Sequence, residues 1–153
     1  MAVSQYIVIE LGDQEFALEI LNVGSINEYQ KITLLPNAPS YIEGVIDLRG
    51  DIIPIINLSE RFNIESKKML KEKRIIVIEI EEKLIGFLVD EASQAIAVDS
   101  ADVKPTPDII RNIDGDYIKG VCKLSDKILL LIDFAKILDH NQIEEIKNME
   151  LGE

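Results

Sequence analysis

The chain has 153 residues, 47% hydrophobic and 29% charged, enough for an ordinary globular core and unlike a disordered polymer. Its formal net charge of −12 argues against nucleic acid or an anionic membrane surface as partner, since phosphates would repel it at long range. A single cysteine excludes an intrachain disulfide framework, Met1–Gln5 lacks the basic and apolar parts of a signal peptide, and no apolar run spans a bilayer; a soluble cytoplasmic protein is expected.

In chain order, Gln5–Leu11 and Glu15–Ile20 are apolar runs joined at Gly12-Asp13, a hairpin signal, and Ser25–Glu28 reads as a further short strand. A second hairpin is predicted from Ile42–Leu48 and Ile52–Asn57 around Arg49-Gly50-Asp51, with one helical turn over Leu58–Phe62. The basic cluster Lys67, Lys68, Lys71, Lys73 and Arg74 marks a flexible linker. Beyond it the pattern predicts a hairpin of Arg74–Ile80 and Leu84–Asp90 about Glu81-Glu82-Lys83, then a strand over Gln94–Val98. A loop from Lys104-Pro105-Thr106-Pro107-Asp108 precedes a last hairpin, Ile118–Leu124 and Lys127–Asp133. From Asp133, a reasonable N-cap, Phe134, Ile137, Leu138, Ile143 and Ile146 recur at helical spacing, predicting a carboxy-terminal helix over 134–149.

The chain also repeats itself. Tyr41, Ile42, Gly44, Val45, Leu48, Ile52 and Ile56 recur at one constant offset as Tyr117, Ile118, Gly120, Val121, Leu124, Ile128 and Ile132. Upstream, Ile7-Val8-Ile9-Glu10-Leu11 matches Ile76-Val77-Ile78-Glu79-Ile80 at a slightly shorter offset. Two copies of one unit, each a hairpin, a short strand and a second hairpin, indicate an all-β protein of small barrels or a sandwich.

Few residues can carry chemistry. His140, the only histidine, lies between Asp139 and Asn141 and reads as a solvated helix residue, which removes most acid–base and metal devices. Cys122 replaces Ile46 of the first copy and reads as a small buried hydrophobe. The carboxylates form no calcium loop and no glycine-rich phosphate cradle opens a helix, so no cofactor and no metal is expected. Arg49, at a hairpin tip where the second copy has Ser125, reads equally as local pairing with Asp47 or Asp51 and as a contact to a partner. In Ile52-Ile53-Pro54-Ile55-Ile56 the proline cannot donate to a ladder, so the strand is an edge or is interrupted there, to be covered by the other half of the chain or, less favoured, by docking of another protein.

Pro36-Asn37-Ala38-Pro39 followed by Tyr41-Ile42-Glu43-Gly44-Val45-Ile46-Asp47-Leu48-Arg49-Gly50-Asp51-Ile52-Ile53-Pro54 resembles the signature of CheW-type chemotaxis coupling proteins; the Tyr6–Val23 and Gly86-Phe87-Leu88-Val89-Asp90 segments match as well. The resemblance implies two tandem five-stranded β-barrel subdomains of the SH3-like or OB-like kind with a short carboxy-terminal helix. Their limits would be about 15–82 for the first subdomain and about 1–14 plus 83–139 for the second, within one domain over 1–153. It implies a non-enzymatic adaptor that couples chemoreceptors, the methyl-accepting chemotaxis proteins, to the regulatory domain of the histidine kinase CheA, monomeric when free and recruited to membrane-bound receptor arrays. By the same resemblance Val23, Gly44 and Arg49 match positions of kinase contact, and Ile75, Ile85, Gly86, Ala92 and Ala95 match the groove for the receptor tip. The chain departs from the family at Ser25, often glutamate, at Asp47 and Asn57, and at Ala92 and Ala95, where bulkier valine is common.

The rival within the fold is an adaptor of a chemosensory pathway for pili or development. An oligonucleotide-binding barrel is disfavoured by 5% aromatics and the negative charge. A carboxylate-only hydrolase is disfavoured because small tandem barrels offer no evident cleft.

Overall fold

The computed structural model describes residues 3–105, 117–124, 127–138 and 140–148. The expected loop's Thr106-Pro107-Asp108, the turn residue Ser125, Asp139 and the acidic tail beyond residue 148 lie outside them. The described elements are β1 Val3–Leu11, β2 Gln14–Glu19, β3 Ser25–Glu28, β4 Ile42–Leu48, β5 Asp51–Asn57, α1 Leu58–Arg61, β6 Arg74–Ile80, β7 Lys83–Val89, β8 Glu91–Asp99, β9 Val103–Lys104, β10 Ile118–Leu124, β11 Lys127–Ile132 and α2 His140–Lys147. The structure is mostly β, as the alternation and turn signals require. The helix expected from 134 instead starts as a 3-10 turn, Phe134–Lys136, opened by Lys136 N–H donating to the Asp133 carbonyl at 2.9 Å; α-helix proper begins at His140.

The strands form a six-stranded sheet in the order β8-β1-β2-β11-β10-β9 and a five-stranded sheet in the order β3-β6-β7-β5-β4. Each sheet holds one parallel junction, β11 beside β2 and β5 beside β7. Sheet membership changes near residues 20 and 90, whereas the sequence expectation placed subdomain limits near 14 and 82. Both hairpins at those limits stay whole, because β1 with β2 and β6 with β7 share long antiparallel registers.

Neither sheet's ordered pairing is a closed ring among the described residues, yet each is sealed by a crossing segment. In the five-stranded sheet, β3 pairs with β6, and further along the same segment Thr33 forms a bridge with Val45 of β4. In the six-stranded sheet, β8 pairs with β1 and its continuation β9 pairs with β10 at Val121 and Cys122. Val45 and Val121 are repeat equivalents, and each follows a glycine that the crossing needs. A Cβ on Gly44 would lie 2.3 Å from the Thr33 carbonyl oxygen, and one on Gly120 2.9 Å from a Val103 methyl.

Three apolar clusters follow from this wrapping. One fills the six-stranded sheet's interior with Tyr6, Val8, Ala17, Val98, Cys122, Leu129 and Leu131. Another fills the five-stranded sheet's interior with Ile46, Ile53, Ile55, Ile75, Val77 and Leu88. The largest is the seam between the sheets, where Ile7, Ile9, Leu11, Phe16 and Leu18 meet Ile76, Ile78, Ile80, Ile85 and Phe87. β1 and β6 are apolar on both faces because one face serves an interior and the other the seam. Ile143 and Ile146 of α2 bury against this seam, and Lys147 pairs with Glu81 at 2.8 Å where β6 turns into β7.

Pro54 behaves as its missing N–H dictates. β5 pairs with β4 along its length, but its parallel ladder to β7 begins only at Ile55. The apolar run is covered inside the chain, since Ile53, Ile55 and Ile56 are fully buried.

The segment expected to be a flexible linker is instead pinned. Asp90 is 2% exposed and accepts from Gly12 N–H at 2.9 Å and Ser66 Oγ–H at 2.6 Å, with Lys73 Nζ at 3.8 Å. Lys67 pairs with Asp13, while Lys68 and Arg74 reach Glu91. The basic cluster is thus largely consumed within the molecule, holding the crossing between the two sheets.

Candidate functional site

Arg49 sits where the 42–57 hairpin reverses. β4 ends at Leu48 and β5 starts at Asp51, and Arg49 and Gly50 have φ of 55° and 92°, the two positive angles of a type I′ turn. Asparagine or glycine is the usual first residue of such a turn, so an arginine there carries backbone strain. The local pairing anticipated for it is absent: Asp47 Oδ1 accepts from Gly50 N–H at 2.9 Å instead, and Arg49 is exposed with no ion pair among the described residues. Ser25 Oγ accepts from Asn27 Nδ2 at 2.9 Å. Asn57 spans the other end of β5, accepting from Glu60 N–H as the cap of α1 and donating to Glu43.

Val23 and Gly44 occupy different surroundings. Val23 is half-buried against the seam cluster, in a cavity of about 290 Å³ lined by Leu21, Gly24, Ile78, Ile80 and Phe134. Gly44 is buried on β4 beneath the Thr33 crossing. Arg49 lies at the β4–β5 hairpin tip, Gly44 lies further down β4, and Val23 directly precedes β3, whose continuation crosses to β4 at Thr33.

The second group is mostly interior. Ile75, Ile85 and Ala92 are at most 3% exposed, and Gly86 is buried where a Cβ would meet Ile55 Cδ1 at 2.5 Å and Ile75 Cγ2 at 3.2 Å. Only Ala95 reaches the surface. It lies opposite Ile7 in the β1–β8 register, so the two share the face that turns toward the seam. Ala97, opposite Gln5, lies on the same face and is also exposed.

Sequence reasoning missed one exposed apolar residue on the other sheet. Ile26 pairs with Ile76 in the β3–β6 register and is 39% exposed, on the seam-facing side of the other sheet. α2 covers the seam at the Glu81 end of β6, whereas Arg74 and Glu91 mark the opposite end. Ile26, Ala95 and Ala97 are thus exposed apolar side chains on the faces that carry the seam residues Ile76 and Ile7. A lone isoleucine in a four-residue strand gives no sequence signal of exposure, because that depends on which sheet edge it joins.

A polar cluster borders the six-stranded interior. Lys119 Nζ pairs with Glu19 Oε1 and lies 5.5 Å from the Tyr6 ring centroid, and Tyr6 O–H donates to Glu19 at 3.4 Å. Burial raises the Tyr6 phenol, partly offset by the Lys119 charge. Burial alone would lower Lys119, but its bonds and charge contacts with Glu19 and Tyr6 outweigh it and hold the amine above its usual range. The Cys122 thiol is buried and free, raised by burial and then by Asp102. Among the described residues no group of three or more His, Cys, Asp or Glu side chains is placed to hold a metal, and no helix is long and apolar enough to cross a membrane.

A family model described as the CheW-like domain matches residues 5–142. The chain is 29% identical over 149 residues to a chemotaxis protein CheW of Treponema pallidum, covering 95% of this chain and 88% of that one. It is 33% identical over 133 residues to a chemotaxis protein CheW of Bacillus subtilis, covering 87% and 85%. In structure it resembles the scaffolding protein TtCheW from Thermoanaerobacter tengcongensis, with a TM-score of 0.81 at 30% identity over 93% of this chain and 92% of that one.

Proposed function

The chain belongs to the CheW-like domain family and is a chemotaxis adaptor, not an enzyme, and on that footing we propose that it couples the regulatory domain of a CheA-type histidine kinase to the cytoplasmic tip of chemoreceptors. The named relatives are chemotaxis proteins, which does not favour the pili or development alternative or an oligonucleotide-binding barrel. The adaptor works in the cytoplasm and is recruited to receptor arrays. By holding both partners in one geometry it lets a receptor rearrangement bias the kinase equilibrium.

The observation that carries the kinase half is Arg49: exposed, without an ion pair among the described residues, and kept at φ 55° where a smaller residue would fit more easily. A guanidinium on a rigid turn is suited to a bidentate contact with a carboxylate of the kinase. Gly44 supports that hairpin from beneath by admitting the Thr33 crossing, and Val23 offers a second, half-buried contact beside the seam cavity. For the receptor, the faces bearing the exposed side chains of Ile26, Ala95 and Ala97 offer a seat for the apolar side of a helical tip. Ile75, Ile85, Gly86 and Ala92 shape that seat from within the core and do not touch the partner.

The test is a titration of isotope-labelled protein with the kinase regulatory domain, repeated with Arg49→Asn. Saturable amide shifts around Val23, Gly44 and Arg49, and at least tenfold weaker binding by Arg49→Asn with unchanged folding, are expected. Equal binding by Arg49→Asn would remove Arg49 from the interface.

A further inference from the structure

The internal repeat and the hydrogen-bonded sheets group the strands differently. By sequence, β1 to β5 form one copy and β6 to β11 the other. In space, the five-stranded sheet joins β3, β4 and β5 to the second copy's hairpin β6–β7, and the six-stranded sheet joins β8 to β11 to the first copy's hairpin β1–β2. Each copy therefore completes its sheet with the other copy's leading hairpin. We propose that this exchange also occurs between molecules, two copies of this chain swapping hairpin β1–β2 reciprocally so that each six-stranded sheet is completed in trans.

Three observations support a second copy as the partner. The hairpin's docking contacts lie beyond the connection that follows it. They are the antiparallel ladder to β8, the parallel pairs Leu130–Phe16 and Leu131–Ala17, the Asp90 bond to Gly12, the Lys67–Asp13 pair and the seam contacts of Ile7, Ile9 and Phe16. A swapped dimer retains them all and alters only the hinge, the condition under which exchange is cheap.

The hinge is also exposed. Ile20–Asn22 buries no residue, its turn is closed by one bond from Val23 N–H to the Ile20 carbonyl at 3.1 Å, and Leu21 is 90% exposed. The connection into β6 is by contrast fastened at Ser66, Lys73 and Arg74, so the hairpin β6–β7 is not the one that moves.

The slots also differ. In the parallel junctions Ala17 stands where the other hairpin has Gly86, and a Cβ at Gly86 would lie 2.5 Å from Ile55 Cδ1. Hairpin β1–β2 thus fits the six-stranded slot better than the five-stranded one, and in trans its destination is the same slot of a second copy. The seam-side face would then combine Ile7 of one chain with Ala95 of its partner copy.

Gln5 and Ala97 are exposed register partners on β1 and β8, so Gln5→Cys and Ala97→Cys in separate chains form a direct test. The two variants are unfolded together, refolded at increasing concentration and oxidised. Random coupling of these exposed thiols gives homodimers and mixed dimer in statistical proportion, so mixed disulfide above that proportion reports β1 of one molecule on β8 of another. Expected is a mixed covalent dimer well above the statistical proportion, with a dimer-to-monomer ratio rising about tenfold for each tenfold rise in free monomer. Deleting Leu21 and Asn22 to shorten the hinge should move the same yield to lower concentration. Mixed disulfide no higher than the statistical proportion set by the two homodimers at millimolar protein would overturn the proposal. So would a dimer by light scattering without that disulfide, which would show side-by-side association.

Discussion

Replacing Gly44 with alanine is expected to open the five-stranded sheet at its sealing bridge. The new Cβ would stand 2.3 Å from the Thr33 carbonyl oxygen and 2.6 Å from Ile32 Cγ2, where ordinary contact begins near 3.4 Å, so the crossing segment must retreat by roughly 1 Å. The obstruction is backbone and cannot rotate away. Thr33 N–H to the Val45 carbonyl at 2.8 Å and Val45 N–H to the Thr33 carbonyl at 2.9 Å are both lost or stretched, at about 1 kcal/mol each. A side chain at the positive φ of Gly44 adds about 1–2 kcal/mol, for a total of about 3–4 kcal/mol.

Gly120→Ala is the internal comparison. Its Cβ meets a Val103 methyl at 2.9 Å and the Lys104 carbonyl at 3.2 Å, neither as severe, and its φ is not positive, so about 1 kcal/mol is expected. Urea unfolding gives the two costs, and thermal melts should separate the variants by roughly 5–10 °C. Amide exchange should show lost protection at Thr33 and Val45 in Gly44→Ala alone. If the two variants cost the same, or if Gly120→Ala costs more, the sealing argument fails.

Glu82→Gly should raise stability by about 1 kcal/mol in urea unfolding, because Glu82 has φ 67° in the β6–β7 turn and the neighbouring Glu81–Lys147 pair is left intact. Asp90→Ala should cost about 3 kcal/mol, since it leaves Lys73, 7% exposed, and the Gly12 N–H without their buried acceptor; a loss below about 1 kcal/mol would contradict the pinned-linker reading. The Cys122 thiol and the Tyr6 phenol are both raised in the folded state, so the folded protein holds those protons more tightly than the unfolded chain. Their stabilisation is complete below the unfolded thiol value of about 8.5 and is lost as pH climbs through the raised folded values, so unfolding midpoints should fall above about pH 8.5, and a Cys122→Ala variant should flatten the first part of that decline. Native Cys122 should resist a thiol reagent until the chain is unfolded.

The sequence by itself determined the strands, the turns and the repeat, because these rest on neighbours along the chain. Alternation marked the hairpins, Pro54 marked where β5 cannot pair, and the long Gly-Val-Ile-Asp-Leu-Arg-Gly pattern at residues 44–50 carried the family. The sequence also marked Cys122 as a buried apolar residue, through its replacement of Ile46. Tertiary structure decided the rest. Strand spacing does not say which sheet a hairpin enters; only the family resemblance implied that residues 1–14 join the second subdomain and residues up to 82 the first, and the structure carries β2 and β7 across with them, which accounts for the two-faced burial of Ile75 and Ile76. Charge alone made the Lys67–Arg74 segment read as a flexible linker, whereas its ion pairs fasten it to Asp13, Asp90 and Glu91. Ile26 and Ala95 stand on the seam side of their strands only because two sheets, remote in sequence, turn the faces bearing Ile76 and Ile7 toward a common seam, a relation that no local pattern encodes.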